Sequence, residues 1–194
     1  MEVFKKKKTN YVDIDSVILN KLENSNKYLK KIYEWTGYTK MELLYRGTRD
    51  GSTADIFHNK CDNKGPTLCL YQNEKDNIFG GYASISWTSA QSGKHFSAPE
   101  SFLFTLTNIY GMKPEKFPNS NKNHCVYHYK DYGTLFGEND IYIRKDFMKQ
   151  KTCSSFPCCY QDTLGKGKSI FTGNLKNNET DFKVKEIEIF RIFK

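Results

Sequence analysis

Short apolar runs with high strand propensity, separated by polar turns, restrict the fold of this chain more than any other feature. They recur from Leu43 to Phe193 without long helical patterns between them. Such runs pair as antiparallel strands, because a parallel sheet needs a long crossover between neighbouring strands. We therefore predict a mainly β (α+β) protein, a two-sheet antiparallel β-sandwich with flanking helices whose first and last runs lie well inside the fold. The runs include TLCLYQ (67–72), IFGGYASISW (78–87), SFLFTLTN (101–108), CVYHY (125–129), DIYI (140–143) and FKVKEIEIFRIF (182–193).

Two of these runs contain local irregularities. In the last run the apolar residues occupy even-numbered positions up to Val184 but odd-numbered positions at Ile187 and Ile189. Because successive residues of a strand face opposite sides of the sheet, this change of parity predicts a bulge near Lys185-Glu186. Gly80-Gly81 lies inside an apolar run, and glycine within a strand indicates a bulge or a close approach of two backbones.

The N-terminal part of the chain has a different pattern. Apolar residues from Ile14 to Trp35 recur at helical spacing, Ser16 is placed to cap the first turn, and residues 24–26 interrupt the pattern. This predicts two short helices within residues 14–35. Because 194 residues suit one domain, we predict a basic flexible tail at 1–12 and a single domain at 13–194 that includes these helices.

The formal net charge of +8 is unevenly placed. Residues 1–40 carry nine lysines against five acidic residues, which accounts for half of the excess, and Lys5–Lys8 form an unbroken run. A run of four lysines is typical of a solvated, mobile tail, with nuclear import and polyanion contact as the alternatives. The rest of the chain is only mildly basic.

No apolar run reaches the ~18 residues of a membrane-spanning helix, and no apolar segment follows the N-terminal lysines as in a signal peptide. We expect a cytoplasmic protein, also nuclear as an alternative, without membrane insertion. The six cysteines are then expected to stay reduced. We predict that Cys61 and Cys69 are buried and that the Cys153–Cys159 loop is the most exposed, where Lys149 and Lys151 would lower the pKa of an exposed thiol.

Two patterns are similar to binding motifs but lack the residues or the spacing that those motifs need. Gly167-Lys168-Ser169 is similar to the end of a phosphate loop, but Asp162 occupies the position of the glycine that the motif needs. His124 and His128 lie in a run with strand propensity, where ~3.3 Å per residue separates them by ~13 Å, too far for one zinc ion. No nucleophile-base pair can be assigned. We therefore predict no enzyme activity, no cofactor and no metal.

Several segments in a fixed order resemble one family. They are LLYRGTRDGS (43–52), FHNKCDNKGPTLCLYQ (57–72), IFGGYASISW, SFLFTLTN, TLFGENDIYI (134–143), SSFP (154–157) and EIEIF (186–190). Together they resemble the TLDc domain, the module of the oxidation-resistance protein family, over about residues 41–194. The resemblance implies a two-sheet antiparallel β-sandwich with flanking helices and no established catalytic activity. It also implies association with the vacuolar-type proton ATPase and protection against oxidative stress.

The segment FHNKCDNKGPTLCL holds a histidine, two cysteines and an aspartate, which also occur around metals and thiol nucleophiles. Phe57 and Cys61 lie four residues apart and suit the buried face of one helical turn, which Gly65-Pro66 ends. We therefore interpret His58, Cys61 and Asp62 as packing and capping residues.

A candidate partner-binding surface lies on the two loops that carry RGTRDGS and CDNKG. Charged groups of both signs suit the rim of an interface, where they set register and the rate of association. An ordinary pair of solvated loops is the alternative. The candidate residues are Arg46, Arg49, Asp50, Lys60, Asp62 and Lys64.

Three functions follow from these patterns. The first is a non-catalytic binding and regulatory module, a monomer that acts on the vacuolar-type proton ATPase and supports oxidative-stress resistance, as the resemblance implies. The second is a basic nucleic-acid-binding stress-response protein, which rests on the net charge and the lysine run. The third is a thiol-based peroxide scavenger, which rests on the cysteines.

Overall fold

The computed structural model describes residues 14–176 and 179–194, and it contains two six-stranded antiparallel sheets, which confirms the predicted fold class. The predicted tail at 1–12 lies outside the described residues. The strands of the described chain are β1 (Lys40–Arg46), β2 (Thr67–Asn73), β3 (Ile78–Ala83), β4 (Lys94–Phe96), β5 (Phe102–Thr107), β6 (Glu115–Pro118), β7 (Val126–His128), β8 (Leu135–Phe136), β9 (Ile141–Tyr142), β10 (Thr152–Cys153), β11 (Asp181–Phe182) and β12 (Val184–Phe193).

The strand order explains which runs lie inside the fold. The first sheet has the order β1-β12-β2-β3-β5-β6, and the second has the order β11-β10-β9-β8-β7-β4. The last run, β12, lies between β1 and β2, as predicted. The prediction that the first run also lies well inside is wrong, because β1 is an edge strand. Its first half alternates between exposed and half-buried residues, which suits an edge.

The first sheet is covered on both faces, so its central strands are buried throughout. In β2, Cys69 and Tyr71 face the core between the two sheets, whereas Leu68 and Leu70 face a second apolar cluster on the opposite side. The helical segments supply the other half of that second cluster. This double cover explains why TLCLYQ is a continuous run rather than an alternating one.

The predicted irregularities are both present. The pairing of β12 with β2 shifts register between Val184 and Glu186, and this bulge lets Val184 and Ile187 face the same core although their parities differ. A Cβ atom at Gly80 would lie 2.0 Å from the backbone carbonyl oxygen of Cys69 on β2. Gly80 therefore marks a close approach of two backbones.

The two predicted helical segments precede the sheets as a 3-10 turn (Leu19–Lys21) and α1 (Ser25–Thr36). The Ser16 hydroxyl oxygen accepts the backbone N–H of Leu19 at 2.9 Å, which is the predicted cap. Gly37, with a φ of 71°, ends α1 in the left-handed conformation that favours glycine.

Three further helices are short: α2 (Gly47–Asp50), α3 (Ala54–Cys61) and α4 (Ser169–Thr172). Phe57 and Cys61 on α3 are buried, as predicted. The helix ends at Cys61 rather than at Gly65-Pro66, because Asp62 has extended backbone and its carboxylate is held by His58 and Ser89. None of the described helices is long and apolar enough to cross a membrane.

Candidate functional site

Four of the six predicted residues meet at the helical loop that follows β1. The Asp50 carboxylate accepts hydrogen bonds from the Arg49 guanidinium at 2.8 and 3.0 Å and from the Arg46 backbone N–H at 2.9 Å. The Lys60 ammonium on α3 lies 3.4 Å from Asp50 Oδ1. The Asp50 side chain is 10% exposed, against 42% for Arg49 and 45% for Lys60. The loop therefore presents two cations to solvent around a covered carboxylate.

The charge state of this loop is set by Asp50. The hydrogen bonds from the Arg49 guanidinium lower the pKa of Asp50 to about 2, against the opposing effect of burial. The Arg46 backbone N–H and the Lys60 charge act in the same direction as Arg49. Asp50 is consequently ionised throughout the neutral pH range and holds both cations near it.

Arg46 stabilises the fold and offers little surface to a partner. Its Nε–H donates to Glu188 Oε1 at 2.8 Å, and its Nη2 group donates to Asp15 Oδ1 at 2.6 Å. Glu188 is completely buried and also accepts the Ser16 hydroxyl at 2.6 Å and the Val17 backbone N–H at 2.8 Å. This ionic network joins β1 and β12 to the chain that leads into the 3-10 turn.

The other half of the candidate surface starts at the end of α3. Asp62 Oδ1 lies 2.8 Å from His58 Nδ1, and the Ser89 hydroxyl donates to Asp62 Oδ2. His58 Nε2 donates to the carbonyl oxygens of Tyr129 at 3.1 Å and Tyr132 at 3.0 Å. Burial lowers the pKa of His58, but the Asp62 carboxylate more than offsets this and the pKa lies above its usual value. His58 and Asp62 therefore join α3 to the second sheet, in keeping with packing and capping roles.

The remaining candidate residue, Lys64, is exposed and has no ion-pair partner among residues 14–176 and 179–194. The six predicted residues thus fall into two groups. Those with substantial exposed side chains are Arg49, Lys60 and Lys64, and those largely covered by the fold are Arg46, Asp50 and Asp62.

All six cysteines are free thiols. Cys61 and Cys69 are buried, as predicted. In the Cys153–Cys159 loop, Cys158 is exposed, but Cys159 is buried, so the predicted exposure of this loop is wrong at Cys159. Burial raises the pKa of Cys158, and the neighbouring carboxylates add to the increase, so the lowering expected from the nearby lysines is not found. This shift opposes the activation that a peroxide-reactive thiol needs.

The two histidines singled out in the sequence lie in different surroundings. His128 ends β7, and its ring is buried against Trp87 and Phe96 with Nδ1 2.9 Å from the Thr88 hydroxyl oxygen. His124 lies in the turn before β7, so its placement in the strand was wrong.

His124 instead approaches two residues that sequence reasoning missed. Its ring stacks on that of His95 with centroids 4.2 Å apart, and its Nδ1 is hydrogen-bonded to Glu138. One ligand atom from each of the three side chains lies within 4.8 Å of the others. Each comes from a different segment, so no spacing in the sequence could have indicated the group.

The fold defines the class of protein as a two-sheet antiparallel β-sandwich with short flanking helices. The model of the TLDc domain family matches residues 13–193, nearly the whole chain. The chain therefore belongs to the TLDc domain family, which confirms the resemblance. TLDc proteins are commonly linked to oxidative-stress resistance, and their domains are typically protein-interaction modules. No curated protein matches the chain.

Proposed function

We propose that this chain is a non-catalytic binding and regulatory module, monomeric and cytoplasmic, that associates with the vacuolar-type proton ATPase. In this role it supports resistance to oxidative stress. The observation that carries the proposal is the TLDc family match over residues 13–193. Protein interaction is the typical role of such domains, and loops on a rigid sandwich are where binding usually resides.

The exposed cations of the two loops supply a surface for this role. Arg49 and Lys60 lie around the covered Asp50 carboxylate, which fixes their positions by ion pairs. Lys64 stands on the next loop, after α3, without an ion pair of its own among the described residues. Cations held at the rim of an interface speed association with an acidic partner surface and fix its register.

Charge reversal at two of these cations tests the surface. Arg49→Glu and Lys64→Glu together should weaken capture of proton-pump subunits from cell lysate, measured by immunoblot. The matched control reverses Lys27 and Lys30, two exposed lysines of α1, and produces the same change in net charge. The control variant should melt within a few degrees of the wild type, because Lys27 and Lys30 are exposed. The Arg49/Lys64 variant also loses the ion pair with Asp50, so it should melt roughly 2–8 °C below the wild type and remain folded at the assay temperature.

Different outcomes of this experiment test the candidate surface and the proposed function separately. Equal capture by the two double variants places the interface elsewhere on the chain. Capture of no pump subunit by the wild type contradicts the proposed function itself. Unfolding of the Arg49/Lys64 variant shows that these residues serve the fold.

The net charge of +8 favours one alternative, a nucleic-acid-binding stress-response protein. That activity rests on phosphate contacts, so its affinity falls steeply as the salt concentration rises. A protein interface with an apolar centre loses little affinity over the same range.

A further inference from the structure

Three potential metal ligands meet at one end of the second sheet. His95 lies in β4, His124 lies in the turn before β7, and Glu138 lies in the turn between β8 and β9. These strands are neighbours in the order β9-β8-β7-β4, so the sheet itself brings the three segments together. His95 is fixed within a strand, and the two turns that carry His124 and Glu138 are anchored to adjacent strands of the same sheet.

The distances suit a single small cation. The three ligand atoms lie within 4.8 Å of one another. Ligands at ~2.0–2.2 Å from a tetrahedral zinc ion stand roughly 3.3–3.6 Å apart, so binding requires side-chain shifts of about 1 Å. The two imidazole rings, now 14° from parallel, must also tilt so that a nitrogen of each points at the ion. The exposed fractions of His124 and Glu138, 39% and 47%, leave both side chains room for that shift.

The hydrogen bonding of the group also favours a cation. His124 Nδ1 is hydrogen-bonded to a Glu138 carboxylate oxygen, so the two ligand atoms lie side by side with one proton between them. A metal ion replaces that proton and bonds to both atoms. His95 Nδ1 is buried and has no hydrogen-bond partner among the described residues, so this nitrogen is free to bind an ion.

A fourth donor stands on the other side of Glu138. The Cys158 sulfur lies 3.9 Å from Glu138 Oε2, and Cys158 is the exposed cysteine of the set. Its backbone N–H donates to the buried Asp140 carboxylate at 2.7 Å, which fixes the segment that carries the thiol. The adjacent Cys159 is buried. Cys158 is therefore the thiol that can reach a surface ion.

We propose that His95, His124 and Glu138 bind one zinc ion at this end of the second sheet and that the Cys158 thiolate completes a four-coordinate site. Two imidazoles, one carboxylate and one thiolate form a donor set that zinc accepts, and four protein ligands are typical of structural rather than catalytic zinc. The ion joins the turns before β7 and after β8 to the segment around Cys158, and it covers an otherwise exposed thiol.

Titration of the untagged full chain with zinc ion tests the site, after prior treatment with a chelator and under reducing conditions. We expect one zinc ion per chain by calorimetry. Removal of a residue that hydrogen-bonds to a metal ligand typically weakens metal affinity 10–100-fold. Removal of a ligand itself should therefore weaken zinc affinity at least ~10–100-fold. His124→Ala and Glu138→Gln should each show that loss, while the exposed control Glu179→Gln should bind as the wild type does.

Cobalt substitution tests the fourth ligand separately. A thiolate-to-cobalt charge-transfer band should appear in the wild type and in the control Cys153→Ser, and it should vanish in Cys158→Ser. Absence of that band in the wild type removes Cys158 from the site. Absence of saturable zinc binding, or equal affinity of Glu138→Gln and Glu179→Gln, overturns the proposal as a whole. Circular dichroism of each variant shows that the sheets are intact.

Discussion

Replacement of the buried Glu188 by alanine should strongly destabilise the fold. The side chain is completely buried on β12 and accepts hydrogen bonds from Arg46, Ser16 and Val17. Glu188→Ala removes the carboxylate that accepts all three hydrogen bonds. It also leaves the Arg46 guanidinium, whose side chain is 10% exposed, with Asp15 as its remaining carboxylate.

The magnitude follows from the loss of the buried partner of Arg46, which keeps only the exposed Asp15 carboxylate. Removal of one partner from a buried ion pair costs about 3–5 kcal/mol, because the other charge stays buried without its partner. A chain of this size loses about 2–4 °C in melting temperature for each kcal/mol, so the midpoint should fall by roughly 6–20 °C. The control Glu42→Ala removes an exposed carboxylate from β1 and should stay within about 0.5 kcal/mol of the wild type.

Urea unfolding followed by tryptophan fluorescence measures these free energies. The double variant Arg46→Met/Glu188→Ala removes both charges, so its loss should be smaller than the sum of the two single losses. A loss below 1 kcal/mol for Glu188→Ala, or strict additivity in the double variant, would show that the pair does not hold the N-terminal segment to β12.

Two further substitutions and one labelling experiment test other parts of the structure. Gly80→Ala places a methyl group against the Cys69 carbonyl oxygen and should cost about 1–3 kcal/mol in urea unfolding; a neutral result contradicts the close approach. Because folding lowers the pKa of Asp50, its stabilising effect is present above pH ~4 and is lost as pH falls toward about 2. The free-energy difference between wild type and Asp50→Asn, about 1–2 kcal/mol at neutral pH, should therefore shrink over that range, and a constant difference argues against the Arg49 ion pair. Iodoacetamide should label Cys158 in the native protein long before it labels Cys69, as seen by peptide mass spectrometry; equal rates contradict their different burial.

The features that sequence predicted well are those set by local pattern. The bulge in β12 followed from the change of apolar parity between Val184 and Ile187, because parity decides which face of a sheet a side chain covers. The cap at Ser16 and the close approach at Gly80 also depend on residue type at one position. Such features are encoded within a few residues of chain.

The features that sequence did not predict depend on pairing between distant segments. Arg46 was grouped with surface residues because its partner Glu188 lies 142 residues further along the chain. The approach of His95 to His124 requires β4 to pair with β7, which no local pattern specifies. The edge position of β1 likewise depends on which strands pair with β12.

Binding of the purified chain to the purified vacuolar-type proton ATPase, measured at low and high salt beside a nucleic-acid duplex, tests the proposed function most directly. We predict saturable binding to the pump that weakens little with salt, and nucleic-acid binding that is absent or disappears at physiological ionic strength. Binding to the duplex with a steep salt dependence, together with no binding to the pump, would contradict the proposed function.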